Sequence, residues 1–179
     1  MDILKLKWTI LQAEIFQLLC LKAGQKLSQR EIAMILKVSP TAVGNCLSLL
    51  LKNNLIIIEK MKTIHFVSLN RNEPNALGLK RVENLKQIYL SGLLGYLVPE
   101  LAGGTIVLFG SYAKGEDINT SDIDIAVVGR KSKVLSLEKF EKMLQRQIQV
   151  QFYDSWGKIQ DQLRNNILNG IVLEGSVSL

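Results

Sequence analysis

The stretch "VLFGSYAKGEDINTSDIDIAVVG", Val107 to Gly129, restricts the fold of this chain more than any other. It sets two acids, Asp122 and Asp124, in a run whose other members, Ile123, Ile125, Ala126, Val127 and Val128, are apolar. Burying two neighbouring carboxylates is costly unless a cation neutralises them. A strand sends alternate side chains to opposite faces, so Asp122 and Asp124 are expected to project together while Ile123 and Ile125 enter a core. Paired carboxylates suit a hard divalent cation, and Mg²⁺ prefers few carboxylates combined with substrate phosphates. Upstream, Gly110 and Ser111 end an apolar strand and open a helical turn. Glycine lets the backbone approach a phosphate, helix-start N–H groups attract its charge, and Ser111 adds a hydroxyl. A phosphate grip beside metal-binding acids is equipment for in-line attack at the α-phosphate of a nucleotide.

The elements around this motif read as a mixed α/β (α+β) domain. The pattern "LKRVENLKQIYLSGLLGYL" predicts one amphipathic helix over 79–97, a packing or dimerising element that could support a homodimer. Strands are expected at 105–109, 123–128 and 148–153, with a short terminal strand near 171–173, and helices at 136–146 and 156–168.

The first 70 residues follow a different plan. Residues 8–22 carry apolar positions at helical spacing and end before Gly24. In "LSQREIAMILKV" Ser28 and Glu31 make a capping box, with Leu27 and Ile32 placed for the hydrophobic staple. A third helix starts with Ser39 as cap and Pro40 at the first helical position, Val38 and Val43 repeating the staple. The hairpin "LIIIEKMKTIHFVSLN" follows. Two capped helices joined by a short turn and trailed by a hairpin predict a winged helix-turn-helix over 1–70. On its third helix Val43, Cys46, Leu47 and Leu50 point inward, while Thr41, Asn45, Ser48 and Lys52 share the opposite stripe. That stripe suits the major groove of DNA, with Lys60 and Lys62 reaching phosphates from the wing. Winged helices also dock proteins or dimerise, and the stripe has no arginine or glutamine for sharp base readout. A linker is expected at 71–78, with the second domain filling 79–179.

The segment "GSYAKGEDINTSDID" resembles the signature of the minimal nucleotidyltransferases of the DNA polymerase beta superfamily: Gly-Ser, ten residues, Asp-x-Asp. The resemblance covers about residues 76–175. It implies a small mixed sheet flanked by helices, Gly110 and Ser111 holding a nucleoside triphosphate (ATP favoured), and Asp122 and Asp124 binding Mg²⁺. Relatives transfer a nucleoside monophosphate to a hydroxyl on a small molecule, nucleic acid or protein. Small members are antitoxins that adenylylate a partner toxin, so a protein acceptor is among the implied partners. The winged helix in front looks like a fusion of a regulator to this catalytic domain.

The family pattern has a third carboxylate on a later strand. Here that strand reads "RQIQVQFYD", and spacing to the following helix aligns Gln151 with the missing acid, Gln149 being second choice. Asp154 has the wrong parity unless a bulge re-aims it. A glutamine can offer a carbonyl to Mg²⁺ but accepts no proton at neutral pH, and losing a general base costs about 10²–10⁴-fold in rate. Three functions therefore stand side by side. One is a nucleotidyltransferase brought to DNA. Another is an NTP-binding transcription regulator with impaired catalysis. The third, implied by the resemblance, is an antitoxin-type adenylyltransferase acting on a partner protein.

Composition sets the remaining bounds. Hydrophobic residues make up 47% of the 179, enough for a core rather than a disordered chain. Apolar runs fall short of the roughly 18 residues a membrane span needs. The start carries no cleavage site, so the expected compartment is the cytoplasm with no membrane partner. Cys20 and Cys46 lie among leucines and read as reduced core packing. The net charge is +6, and residues 1–70 hold nine bases against four acids, a surplus suited to a phosphate backbone. His65 reads as structural, and Lys114 as either a phosphate contact or a solvated lysine.

Overall fold

The computed structural model describes residues 8–61 and 64–178. The chain divides into two compact units, Met1–Leu77 and Gly78–Leu179. The fold is mixed α and β, with eight α-helices among the described residues and two small sheets.

The first unit opens with α1 (Ile10–Leu21), whose start Thr9 and Gln12 close as a capping box. The two-residue β1 (Leu27–Ser28) leads into α2 (Gln29–Leu36), and there Ser28 and Glu31 bond reciprocally as expected. Glu31 Oε2 accepts from Ser28 N at 2.7 Å, and this hydrogen bond holds its carboxyl below the usual glutamate value. Lys37, at φ 56°, turns the chain out of α2. The next helix, α3 (Pro40–Lys52), is capped by Ser39, whose Oγ accepts from Ala42 N at 3.1 Å. The axes of α2 and α3 differ by 109°. Strands β2 (Ile56–Met61) and β3 (Ile64–Leu69) pair antiparallel, and β1 adds to the outer edge of β3. The core is built from Ile15, Phe16, Ile32, Val43, Leu50 and Val67, all nearly or fully inaccessible.

Helix α4 (Pro74–Leu90) starts earlier than the expected helix at 79, with Pro74 in the first turn where its missing N–H costs nothing. The single helix expected over 79–97 is a pair. Gly92 adopts φ 74°, a left-handed conformation that ends one helix and begins α5 (Leu93–Glu100). After β4 (Thr105–Phe109) and the short α6 (Gly110–Lys114) come β5 (Ile123–Val128), α7 (Glu138–Leu144) and β6 (Ile148–Tyr153). The helix expected over 156–168 is also divided. A 3₁₀ turn spans Trp156–Lys158, Ile159 is extended and buried, and α8 (Asp161–Leu168) follows. Trp156 and Ile159 both pack in the cluster that holds Ala126 and Val128. Strand β7 (Ile171–Glu174) completes a four-stranded sheet in the order β6-β5-β4-β7. Pairing is antiparallel except between β5 and β6.

The sheet has an apolar cluster on each face. Ile123, Ile125 and Val127 pack with Ile88, Leu97 and Phe140 on one side. Ala126 and Val128 pack with Phe109, Trp156 and Ile167 on the other. By alternation Asp124 belongs to the second face, ahead of Ala126. Among the described residues no single helix is long and apolar enough to cross a membrane.

Candidate functional site

The Gly-Ser turn and the acid pair meet at one end of the sheet. Phe109, the last residue of β4, is level with Asp124 on β5, so Gly110 and Ser111 leave the sheet beside that carboxylate. Gly110 has φ 74°, and a Cβ placed on it would lie 2.5 Å from Asp124 Oδ2. No side chain fits there, because the aspartate occupies the space a side chain would need. Gly115, at φ 78°, closes α6, and Glu116 N donates to Ser111 O at 3.0 Å.

Asp122 is exposed just before β5, and Asp124 is half-buried within it. Burial raises the Asp124 pKa above the ordinary aspartate value, and the negative charge of Asp122 raises it further. The charged form of Asp124 is thus disfavoured, a setting a divalent cation relieves. Among the described residues no group of three or more His, Cys, Asp or Glu could hold a metal ion. Two carboxylates with the remaining positions left to phosphate and water match the preference of Mg²⁺, so the residues present fit that ion.

The neighbouring strand carries the glutamines. In the parallel register Gln149 is level with Asp124, and Gln151 is level with Ala126. Ile148, Val150 and Phe152 pack on the opposite face, so both glutamines share the face of Asp124. Gln151 Oε1 accepts from the Tyr153 hydroxyl at 2.6 Å, and burial raises the Tyr153 pKa. Asp154 lies beyond β6, exposed, with Lys158 Nζ 2.6 Å from its Oδ2. That hydrogen bond lowers the Asp154 pKa. Lys114 is exposed at the end of α6. An open cleft of about 530 Å³ borders Asp122, lined among others by Asn119, Ser121, Lys142 and Gln147.

In the first unit Thr41, Asn45, Ser48 and Lys52 are all exposed along α3. Cys46, expected to point inward, is only half-buried, because it sits between the buried Val43–Leu47–Leu50 face and the polar stripe. Cys20 is buried. Lys60 is exposed on β2, level with the exposed His65 on β3, and Lys62 lies outside the described residues.

Sequence reasoning overlooked a buried polar cluster of Lys80, Asn84, Asp117 and Arg146. The available signal was Asp117, an additional acid inside the ten-residue spacer, together with Lys80 on the helix ahead of the motif.

Residues 103–176 match the family described as Polymerase beta, Nucleotidyltransferase. The match runs from just before β4 to just after β7 and supports the nucleotidyltransferase superfamily for this stretch, with nucleotidyl transfer as its general chemistry. Two solved structures of mutants of Lactococcus lactis ZitR are 26% and 25% identical to the chain over the matched region. The overlap covers 53% of this chain and 65% of theirs, so the chain spans about two-thirds of their length. Their TM-scores, 0.38 and 0.39, are too low to carry a structural inference. No curated protein matches the chain.

Proposed function

We propose that the second unit is an Mg²⁺-dependent nucleotidyltransferase that moves a nucleoside monophosphate from an NTP, ATP being favoured, to a hydroxyl acceptor. The observation that carries this reading is the place of Gly110. Its absent side chain leaves room for Asp124 Oδ2 immediately beside the Gly-Ser turn, so one triphosphate can touch both. Asp122 and Asp124 would hold the divalent cation, which when bound supplies positive charge to the phosphates. The Gly110 backbone leaves space for the polyphosphate, and Ser111 donates its hydroxyl to a phosphate oxygen. The acceptor oxygen forms a new bond to the α-phosphorus, the bond to the β-phosphate oxygen breaks, and pyrophosphate leaves with that electron pair. The acceptor's proton goes to solvent, since neither Gln149 nor Gln151 accepts one. The cleft beside Asp122 gives the acceptor room. Incubating the protein with each labelled NTP and candidate small-molecule, nucleic-acid and protein acceptors tests the reading. Label reaching no acceptor from any nucleotide removes transfer.

The glutamines favour a second reading, in which the same site binds Mg-NTP and the molecule acts as a regulator. The first unit then reads as a winged helix, supported by the 109° angle between α2 and α3 and by the exposed stripe on α3. Thr41, Asn45, Ser48 and Lys52 face the major groove in this reading, and Lys60 faces phosphates, Lys62 being a further candidate from the sequence alone. Gel-shift titration against salt tests it. Replacing Lys60 by alanine reduces the salt slope by about one, whereas binding indifferent to salt rules the interface out.

A further inference from the structure

We propose that Lys80, Asn84, Asp117 and Arg146 act as positioning residues, a buried charged knot that sets the geometry of the candidate nucleotide site without touching the nucleotide. Its consequence for binding rests on the nucleotidyltransferase reading. The four are 0%, 6%, 1% and 7% exposed, so water screens little of their interaction. Asp117 Oδ1 accepts from Lys80 Nζ and from Asn84 Nδ2, the latter at 2.7 Å. Asp117 Oδ2 faces Arg146 Nη2 at 3.7 Å. Asn84 Nδ2 also donates to Tyr112 O at 2.9 Å, and the Tyr112 hydroxyl donates back to Asn84 O at 3.4 Å.

The sequence positions of these groups carry the inference. Tyr112 follows Ser111 directly, on the helical turn that Gly110 opens. Asp117 sits in the connection that leads to Asp122. Arg146 precedes Gln147, whose carbonyl accepts at 2.8 Å from the N–H of Ile123, the residue between the two acids. Helix α4 thus grips two of these segments directly, through two adjacent turns, and is linked to the third through the Asp117–Arg146 ion pair. Stability alone is a poor explanation for such a knot. A buried ion cluster is often matched or exceeded in stability by apolar residues of similar volume. Hydrogen bonds to two of these segments and an ion pair to the third fix their relative placement, which apolar packing specifies less sharply.

The test uses the full chain carrying the apolar triple replacement Lys80→Met, Asp117→Leu, Arg146→Met, with Leu97→Ala as a control that loosens the same core elsewhere. Hydrogen exchange is the first measurement. The triple variant is expected to stay folded while exchange over residues 110–122 and 146–149 accelerates about tenfold or more, and the rest of the unit keeps its protection. Titration with Mg-ATP is the second. The triple variant should lose about 10–100-fold in affinity, as loss of residues supporting ligating groups typically does, and Leu97→Ala should bind as wild type does. Unchanged protection in the three segments, uniform loss across the unit, or equal affinity losses in both variants would each overturn the proposal. If the triple variant does not fold, Lys80→Met alone, which leaves Asp117 with Asn84 and Arg146, is read by the same criteria. Wild type that binds no Mg-ATP defeats the nucleotide reading, while the exchange comparison still decides whether the knot positions these segments.

Discussion

Asp117 and Asp124 belong to one short stretch of chain and meet opposite surroundings. Asp117 is sealed from water and set against Lys80 and Arg146. Asp124 is half-buried, and the charge that affects it most closely is another negative one, on Asp122. The first acid is neutralised by the protein itself. The second is held beside a like charge, at a turn where Gly110 gives up its side-chain volume to it. In the proposed function the positive charge missing beside Asp124 is that of a bound divalent cation.

The sharpest way to break this contrast is to delete each kind of acid in turn. Asp117→Ala leaves Lys80 and Arg146 buried without the carboxylate they share and should cost about 3–5 kcal/mol in chemical denaturation. Asp122→Ala, at an exposed position, should change stability by no more than about 0.5 kcal/mol. Comparable losses from the two would show that the surroundings do not differ as described. Next come the glutamines. Gln151→Asp should raise any transfer rate by about 10²-fold if that position is the missing base. Should Gln149→Asp raise it instead, the register with Asp124 has decided the alignment, and no gain from either shows that neither stands for the missing acid.

A smaller effect is expected at the turn. Gly110→Ala imposes a side chain at positive φ and should cost about 1–2 kcal/mol, with Mg-ATP affinity falling as Asp124 is pushed aside. The smallest concerns pH. The pKa of Asp124 in the folded chain lies above its unfolded value, so the folded state holds this proton more tightly. Stability from this group is full below the unfolded value, is lost as pH rises through the folded one, and stays lost above it. Without divalent cations, Asp124→Asn should therefore melt slightly above wild type at neutral pH, with the gap closing as the solution is acidified. An Asp124→Asn protein that melts lower at neutral pH would mean the carboxylate is already compensated.

Local chemistry carried much of the fold into view from sequence. Ser28, Glu31, Ser39 and Pro40 announced two helix starts because caps are short-range hydrogen-bond problems with few solutions. Strands β4, β5 and β6 took their expected bounds because apolar runs between turn residues leave little choice. What escaped depends on partners distant in sequence. The two-residue β1 exists only through its pairing with Val67 and Phe66. Gly92 could be tolerated in a helix or could end one, and tertiary packing chose the end. Lys80 read as one lysine of an amphipathic helix, and only the return of Asp117 across the fold makes its burial affordable. At the candidate site, sequence put Gly110, Ser111, Asp122 and Asp124 in order, but the contact between Gly110 and Asp124 belongs to the register of β4 with β5.

The most direct measurement is calorimetric titration of Mg-ATP into wild type and into Asp122→Ala/Asp124→Ala. An acid pair awaiting an external cation predicts saturable binding by wild type that weakens about 100-fold or more in the double variant, the loss of several kcal/mol of metal-phosphate interaction. Equal binding by both proteins, or none by wild type, would contradict it.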